Sequence, residues 1–365
     1  MKPLELYLHI PFCISKCKYC DFLSAPSQFR ERQDYVESLC KDIRSYRNLA
    51  EAYVVVSIFI GGGTPSILTP SQIKDIFKGI KETFKLSADA EITIEMNPGT
   101  VDREKLRTYG EVGINRLSIG LQSAVDEELK MLGRIHTFEE FLDTYKEARE
   151  EGFTNINVDL MSAIPKQTEE SYEYTLRTVA KMEPEHISAY SLIIEEGTPF
   201  YERYGNGEHQ EELPTEEEER RMYRMTKEVL AEYGYERYEI SNYAKKGYAC
   251  RHNLGYWNRT EYLGIGRGAS SLLDNKRWVQ GEEKESIDRQ GQMEEFMFLG
   301  LRKIEGISRD DFESTFGCTV ESIYHEVIIR MKENGLIEDA DGYLRLTERG
   351  IDLSNYVMSE FLLSI

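Results

Sequence analysis

The chain has 365 residues, 40% of them hydrophobic, and carries a net charge of −20 from 45 basic and 65 acidic side chains. That length holds one large domain and a smaller one, and the acidic balance disfavours wide contact with a phosphate backbone. No apolar run is long enough to span a bilayer, and 6 cysteines with no secretory leader predict a cytoplasmic protein without a disulfide framework.

Six β-rich runs follow one another at residues 4–9, 54–60, 91–95, 116–120, 155–160 and 186–194, with amphipathic helical stretches between them such as 138–150 and 171–182. This alternation predicts parallel strands joined by crossover helices. Six units fall short of an eight-fold barrel. The expected fold is therefore α/β, a partial (β/α)6 barrel over residues 1–274. Functional side chains in such folds collect where strands end and loops begin. The four glutamates at 216–219 are expected in a solvated loop and first helical turn. Past residue 274 the pattern changes. Helices are predicted at 291–304, 308–316 and 320–334, followed by a hairpin turning at Asp341-Gly342. Residues 275–365 read as a mainly helical, winged-helix-like domain. It is not markedly basic, so it is expected to cap the barrel and not to bind nucleic acid.

The first strand leads into Cys13-Ile-Ser-Lys-Cys17-Lys-Tyr-Cys20. Three thiolates inside eight residues suit three irons of a [4Fe–4S] cube and leave the fourth iron open to a small molecule. A structural zinc site commonly closes with a second cysteine pair, and the sequence has none. His9 sits in an apolar stretch and is expected to face the core. Cys40, Cys250 and Cys318 are isolated, and Cys40 shares helical spacing with Tyr35, Val36, Leu39 and Ile43 as a core residue does. The second strand runs directly into Gly61-Gly-Gly-Thr-Pro65, where absent side chains leave backbone N–H groups free to meet a ligand.

A cysteine triplet followed by this glycine run resembles the radical S-adenosylmethionine family. Further motifs narrow the likeness: Tyr7-x-His-Ile-Pro-Phe-Cys13, Ile94-Glu95-x-Asn-Pro98, Arg116-Leu-Ser-Ile-Gly-x-Gln122, Leu132-Gly-Arg134-x-His136 and Asn157-Val-Asp159. In this order they resemble the oxygen-independent coproporphyrinogen oxidase group, over nearly the whole chain. The resemblance implies that Cys13, Cys17 and Cys20 hold a [4Fe–4S] cluster supplied by an electron donor. It also implies that Tyr7, Tyr19, Gly62, Gly63, Thr64 and Glu95 contact S-adenosylmethionine. Gln122, Arg134 and Asp159 match positions that hold a second S-adenosylmethionine or substrate. Read by themselves, Gln122 and Asp159 end neighbouring strands, Arg134 suits a bidentate carboxylate clamp or a surface helix, and His136 starts a helix.

Two features divide this group. Phe22 stands where the oxidase pattern has a further cysteine, and only six residues precede Tyr7. Both resemble the heme chaperone branch, the HemW-type proteins, as does His252-Asn-Leu-Gly-Tyr256-Trp257. That likeness implies heme bound with His252 as axial ligand and Tyr256 and Trp257 shaping its site, for delivery to heme-requiring client proteins. In the glycine-rich run after it, Ser270 replaces a histidine found in relatives. The competing expectation is an enzyme that decarboxylates coproporphyrinogen III or modifies another tetrapyrrole. A redox-sensing winged-helix regulator is disfavoured by the acidic balance.

Overall fold

The computed structural model describes residues 1–363. Six parallel strands lie side by side in chain order: β1 (Lys2–Ile10), β2 (Tyr53–Gly62), β3 (Leu86–Met96), β4 (Arg116–Gln122), β5 (Ile156–Ser162) and β6 (His186–Ser191). They are nearly continuous in buried residues, because helices cover one face and side chains fill the other. β6 stops at Ser191, short of the expected 194. Helix starts follow their caps. Thr69, Thr137, Thr168 and Thr215 each close a capping box. The last of these opens Glu216–Glu232 with the four expected glutamates in its first turn, Glu216 and Glu217 exposed and Glu218 and Glu219 half-buried. Helix Pro70–Thr83 buries Ile73, Ile76, Phe77 and Ile80 at 3.6-residue spacing.

The sheet continues past both ends of this six-strand unit. Asn242–Ala244 runs antiparallel to β6. A short strand, β7 (Tyr262–Ile265), runs parallel to β1 on the side away from β2. Ser270–Leu273, Lys276–Val279 and Glu285–Ser286 then extend that edge antiparallel. The large sheet thus reaches beyond residue 274, and a second hydrophobic cluster begins at Met293. On these grounds we propose the domain boundary between Ser286 and Arg289.

The C-terminal part has helices Arg289–Gly300, Arg309–Phe316 and Val320–Glu333, then the hairpin Ile337–Ala340 and Tyr343–Leu346. Its turn has positive φ at both Asp341 (48°) and Gly342 (87°), as a tight two-residue hairpin requires. Ile307–Ser308 adds a third strand to it. Among the described residues no helix is long and apolar enough to cross a membrane.

Candidate functional site

The cysteine loop folds back over the C-terminal ends of the parallel strands. Phe12–Cys13 pairs with Ala25–Pro26. Lys18 donates its amide to the Leu132 carbonyl at 2.9 Å and accepts from the Phe200 amide at 3.0 Å. One cleft is lined by Cys13, Cys17, Tyr19, Cys20, Gly62, Gly63, Thr64, Glu95, Gln122, Arg134 and Asp159, joined by Phe22, Asn97 and Ser118. All the sequence-nominated cofactor residues except Tyr7 therefore meet in one place.

The three thiols are free. Among the described residues, no three His, Cys, Asp or Glu side chains converge on a single metal ion. A multi-iron cube spreads its thiolates more widely than one ion does. Donors already face two sulfurs, with Thr64 Oγ1 3.6 Å from Cys13 Sγ and Arg134 Nη1 3.6 Å from Cys17 Sγ. Hydrogen bonds to sulfur tune such clusters.

The glycine run acts differently from its sequence reading. Its amides are occupied within the protein: Gly62 donates to Glu95 Oε2 at 3.1 Å, Gly63 to the Ile10 carbonyl at 2.9 Å and Thr64 to the Phe12 carbonyl at 2.7 Å. A Cβ on Gly63 would lie 2.5 Å from the Phe12 oxygen. The glycines let the second strand's exit press against the cysteine segment, which sets the cleft's shape before any ligand arrives.

Strand register brings the acids together. Glu95 pairs with Ser118, and Gly120 with Asp159. Asp159 lies mid-strand, not at the strand's end as expected, while Gln122 does end β4, with φ +77°. Asp159 accepts from Asn157 Nδ2 at 2.8 Å and Ser118 Oγ at 3.3 Å. Burial, reinforced by Asp159, pushes the Glu95 carboxyl up to about 8. Burial also raises Asp159. Arg134 follows the left-handed cap Gly133 in a loop. Its Nη2 donates to Asn97 Oδ1 at 2.8 Å and to the Gly120 carbonyl. Its Nε has no protein partner, and among the described residues it forms no ion pair. His136 sits just before the Thr137 cap, buried against the Leu121 carbonyl.

Tyr7 belongs to a neighbouring cleft, with His9, Phe22, Leu23, Gly62, Glu95, Tyr256, Tyr262, Gly268 and Ser270. Phe22, Gly62 and Glu95 line both clefts. His9 is 2.9 Å from the Leu23 carbonyl through Nε2 and 3.0 Å from the Tyr7 hydroxyl through Nδ1. A carbonyl only accepts, so Nε2 carries the hydrogen and Nδ1 receives Tyr7's.

His252 lies in the interior behind the second cleft. It is 2% exposed and stacks on Phe59 with ring centroids 5.2 Å apart. Its Nδ1 lies 2.8 Å from Ser57 Oγ, and Ser57 donates to Glu5 Oε1 at 3.0 Å. Nδ1 therefore carries the hydrogen, and Nε2 accepts the Tyr256 hydroxyl at 3.2 Å. Burial and the Arg116 charge hold the imidazole down to about 3, so it is neutral. Both ring nitrogens are engaged within the protein. Trp257 packs against the C-terminal part. It lies under the Arg302 guanidinium, 4.4 Å from the ring centre, and does not line the cleft. The motif reaches open space through Tyr256.

A model of the radical SAM superfamily matches residues 7–179, and one of the HemN C-terminal domain matches residues 287–353. The heme chaperone HemW of Bacillus subtilis is 36% identical over 98% of this chain and 98% of its own. That of Escherichia coli is 35% identical over 99% of both. This chain belongs to the HemW family of radical SAM proteins. Coproporphyrinogen III oxidase (HemN) from Escherichia coli, a radical SAM enzyme, shares its fold, with a TM-score of 0.86 over 100% of this chain and 91% of that one at 23% identity.

In this HemW-family chain the sequence reading missed the second cleft. Tyr262 and Ser270 carry no chemical signal alone, and β7 hides in a glycine-rich run. It also missed the brace behind Tyr256, formed by His252, Ser57 and Glu5. Gly255 was the available clue: a Cβ there would lie 2.0 Å from Glu5 Oε1, so this helix must approach a buried carboxylate.

Proposed function

We propose that this chain is a heme chaperone that binds heme beside a radical SAM centre and passes it to heme-requiring client proteins. The observation that carries this reading is the pairing of two clefts that share Phe22, Gly62 and Glu95. In this reading Cys13, Cys17 and Cys20 hold the [4Fe–4S] cluster. S-adenosylmethionine occupies the inner cleft, where Tyr19, Gly63, Thr64, Gln122 and Asp159 surround it and the Arg134 guanidinium meets its carboxylate. Glu95, whose carboxyl is pushed up to about 8 by burial, faces the same cleft and is able to hydrogen-bond the ligand's hydroxyls. A reduced cluster supplies the electron for reductive cleavage of S-adenosylmethionine, and an electron-donor protein is implied. Phe22 puts an apolar ring at the wall between the clefts, 61% exposed, where a flat tetrapyrrole has surface to cover.

The test uses the anaerobically reconstituted protein, titrated with hemin and separately incubated with coproporphyrinogen III, S-adenosylmethionine and a reductant. Saturable hemin uptake without protoporphyrinogen formation is expected. Multiple turnovers to protoporphyrinogen would overturn the reading in favour of the decarboxylase that the shared HemN fold allows.

A further inference from the structure

We propose that Asn97 is a positioning residue for the cluster. Its side-chain amide sets the direction of the hydrogen bonds that reach two of the three cysteine sulfurs, and so raises the potential at which the cluster accepts an electron. This rests on one part of the heme-chaperone reading, that Cys13, Cys17 and Cys20 hold a [4Fe–4S] cluster. Asn97 directly follows β3, and its backbone is fixed there. The amide donates to Ser66 Oγ at 3.3 Å, and the carbonyl accepts from the Thr100 amide at 3.2 Å and from its hydroxyl at 2.6 Å.

A guanidinium only donates. The Asn97 side-chain oxygen therefore faces Arg134, whose Nη2 donates to it at 2.8 Å. The amide nitrogen is then turned to Thr64, and Nδ2 donates to Thr64 Oγ1 at 2.9 Å. With its oxygen accepting from Asn97, Thr64 has its own hydrogen to give, and Cys13 Sγ stands 3.6 Å away. Thr64 is 3% exposed, so little water competes for that hydroxyl. Arg134 Nη1, held by the same amide, lies 3.6 Å from Cys17 Sγ. One side chain thus orders two donors onto two thiolates.

Reduction by the electron-donor protein adds one electron and breaks no bond. The hydrogen stays on Thr64 and the guanidinium keeps its charge. Donors pointed at sulfur stabilise the added negative charge, and hydrogen bonds in series polarise one another. Asparagine suits this place because it accepts on one side and donates on the other. Aspartate there would still accept from Arg134 but could not donate, so the Thr64 hydroxyl would turn to the carboxylate and leave Cys13.

The cluster's midpoint potential is measured by electron paramagnetic resonance in anaerobic redox titrations of the reconstituted protein, without S-adenosylmethionine. Thr64→Val is expected to disfavour reduction about tenfold, a drop of about 59 mV for one electron, and Thr64→Ser to keep the wild-type value. Asn97→Asp is expected to lower the potential more in the wild-type background than in the Thr64→Val background, where only its charge acts. Equal drops in the two backgrounds overturn the inference, as does an unchanged potential in T64V at full cluster content. A further measurement needs no variant to fold. The iron–cysteine sulfur Raman modes of the wild type are expected to shift in deuterium oxide, and a spectrum without that shift also overturns the inference. A wild type that takes up no iron and sulfide overturns the cluster assignment, and this inference with it.

Discussion

The inner cleft and the interior behind Tyr256 occupy the same barrel and treat polar groups in opposite ways. At the rim, three thiols are free and the Arg134 Nε has no partner. Behind Tyr256, His252, Ser57 and Glu5 close on one another, with bonds of 2.8 and 3.0 Å. Both regions are rich in residues that chemistry favours. What separates them is access: buried polar groups that bond one another hold the fold, even with Glu5 Oε2 left without a partner, whereas thiols lining a cleft can meet a ligand. A histidine in a heme-like motif belongs, by this criterion, to the first class.

Removing a rim ligand should therefore abolish binding with little cost to the fold. Cys17→Ala or Cys20→Ala is expected to lose the [4Fe–4S] cluster almost entirely, read as iron and sulfide after anaerobic reconstitution, while the apoprotein's denaturation midpoint stays near wild type. Full iron content in both variants would break the comparison.

The closed interior should behave conversely. Gly255→Ala drives a methyl group to 2.0 Å from Glu5 Oε1, and overpacking of this kind costs about 1–3 kcal/mol. Chemical denaturation should show that loss without any change in cluster content.

Titration sharpens the contrast. Burial raises Glu5 from 4.5 to about 8. A carboxyl raised in the folded state contributes stability that is complete below its unfolded value and is lost as pH rises through the folded one. Burial lowers His252 from 6.5 to about 3, and its contribution is complete above 6.5 and lost as pH falls toward 3. Apoprotein stability should thus decline as pH rises from about 5 to 8, and Glu5→Gln should make that limb shallower in a series of thermal melts, the remainder following Glu95, which burial also raises to about 8. An equally steep limb in Glu5→Gln would remove Glu5 as its source. The smallest stability change is expected at Phe22, whose ring is mostly exposed. Phe22→Ser should shift stability by no more than about 0.5 kcal/mol, yet weaken hemin binding measurably in the same titration.

Much of this arrangement was legible in the sequence. The six strands announced themselves because their apolar runs alternate with capped amphipathic helices, and the inner cleft followed because parallel strands deliver their ends to one side. β7 escaped notice because four residues, Tyr262–Ile265, make a weak pattern when glycines follow. β3 starts at Leu86, earlier than expected, because its opening residues are polar. The amides of this run looked available only because their partners are distant in sequence: Gly63 and Thr64 donate to Ile10 and Phe12, some fifty residues earlier, and Gly62 to Glu95 on the next strand. His252 and Tyr256, four apart on one helix, share a face. Spacing shows that they meet, and only the fold shows which of them faces the cleft.

Heme delivery is tested most directly by mixing the heme-loaded, cluster-bearing protein with a heme-free acceptor and following the acceptor's Soret band by stopped flow over a range of acceptor concentrations. A chaperone that hands heme over in a complex gives a rate that rises with acceptor concentration and exceeds release into buffer. A rate equal to spontaneous release at every acceptor concentration would contradict it.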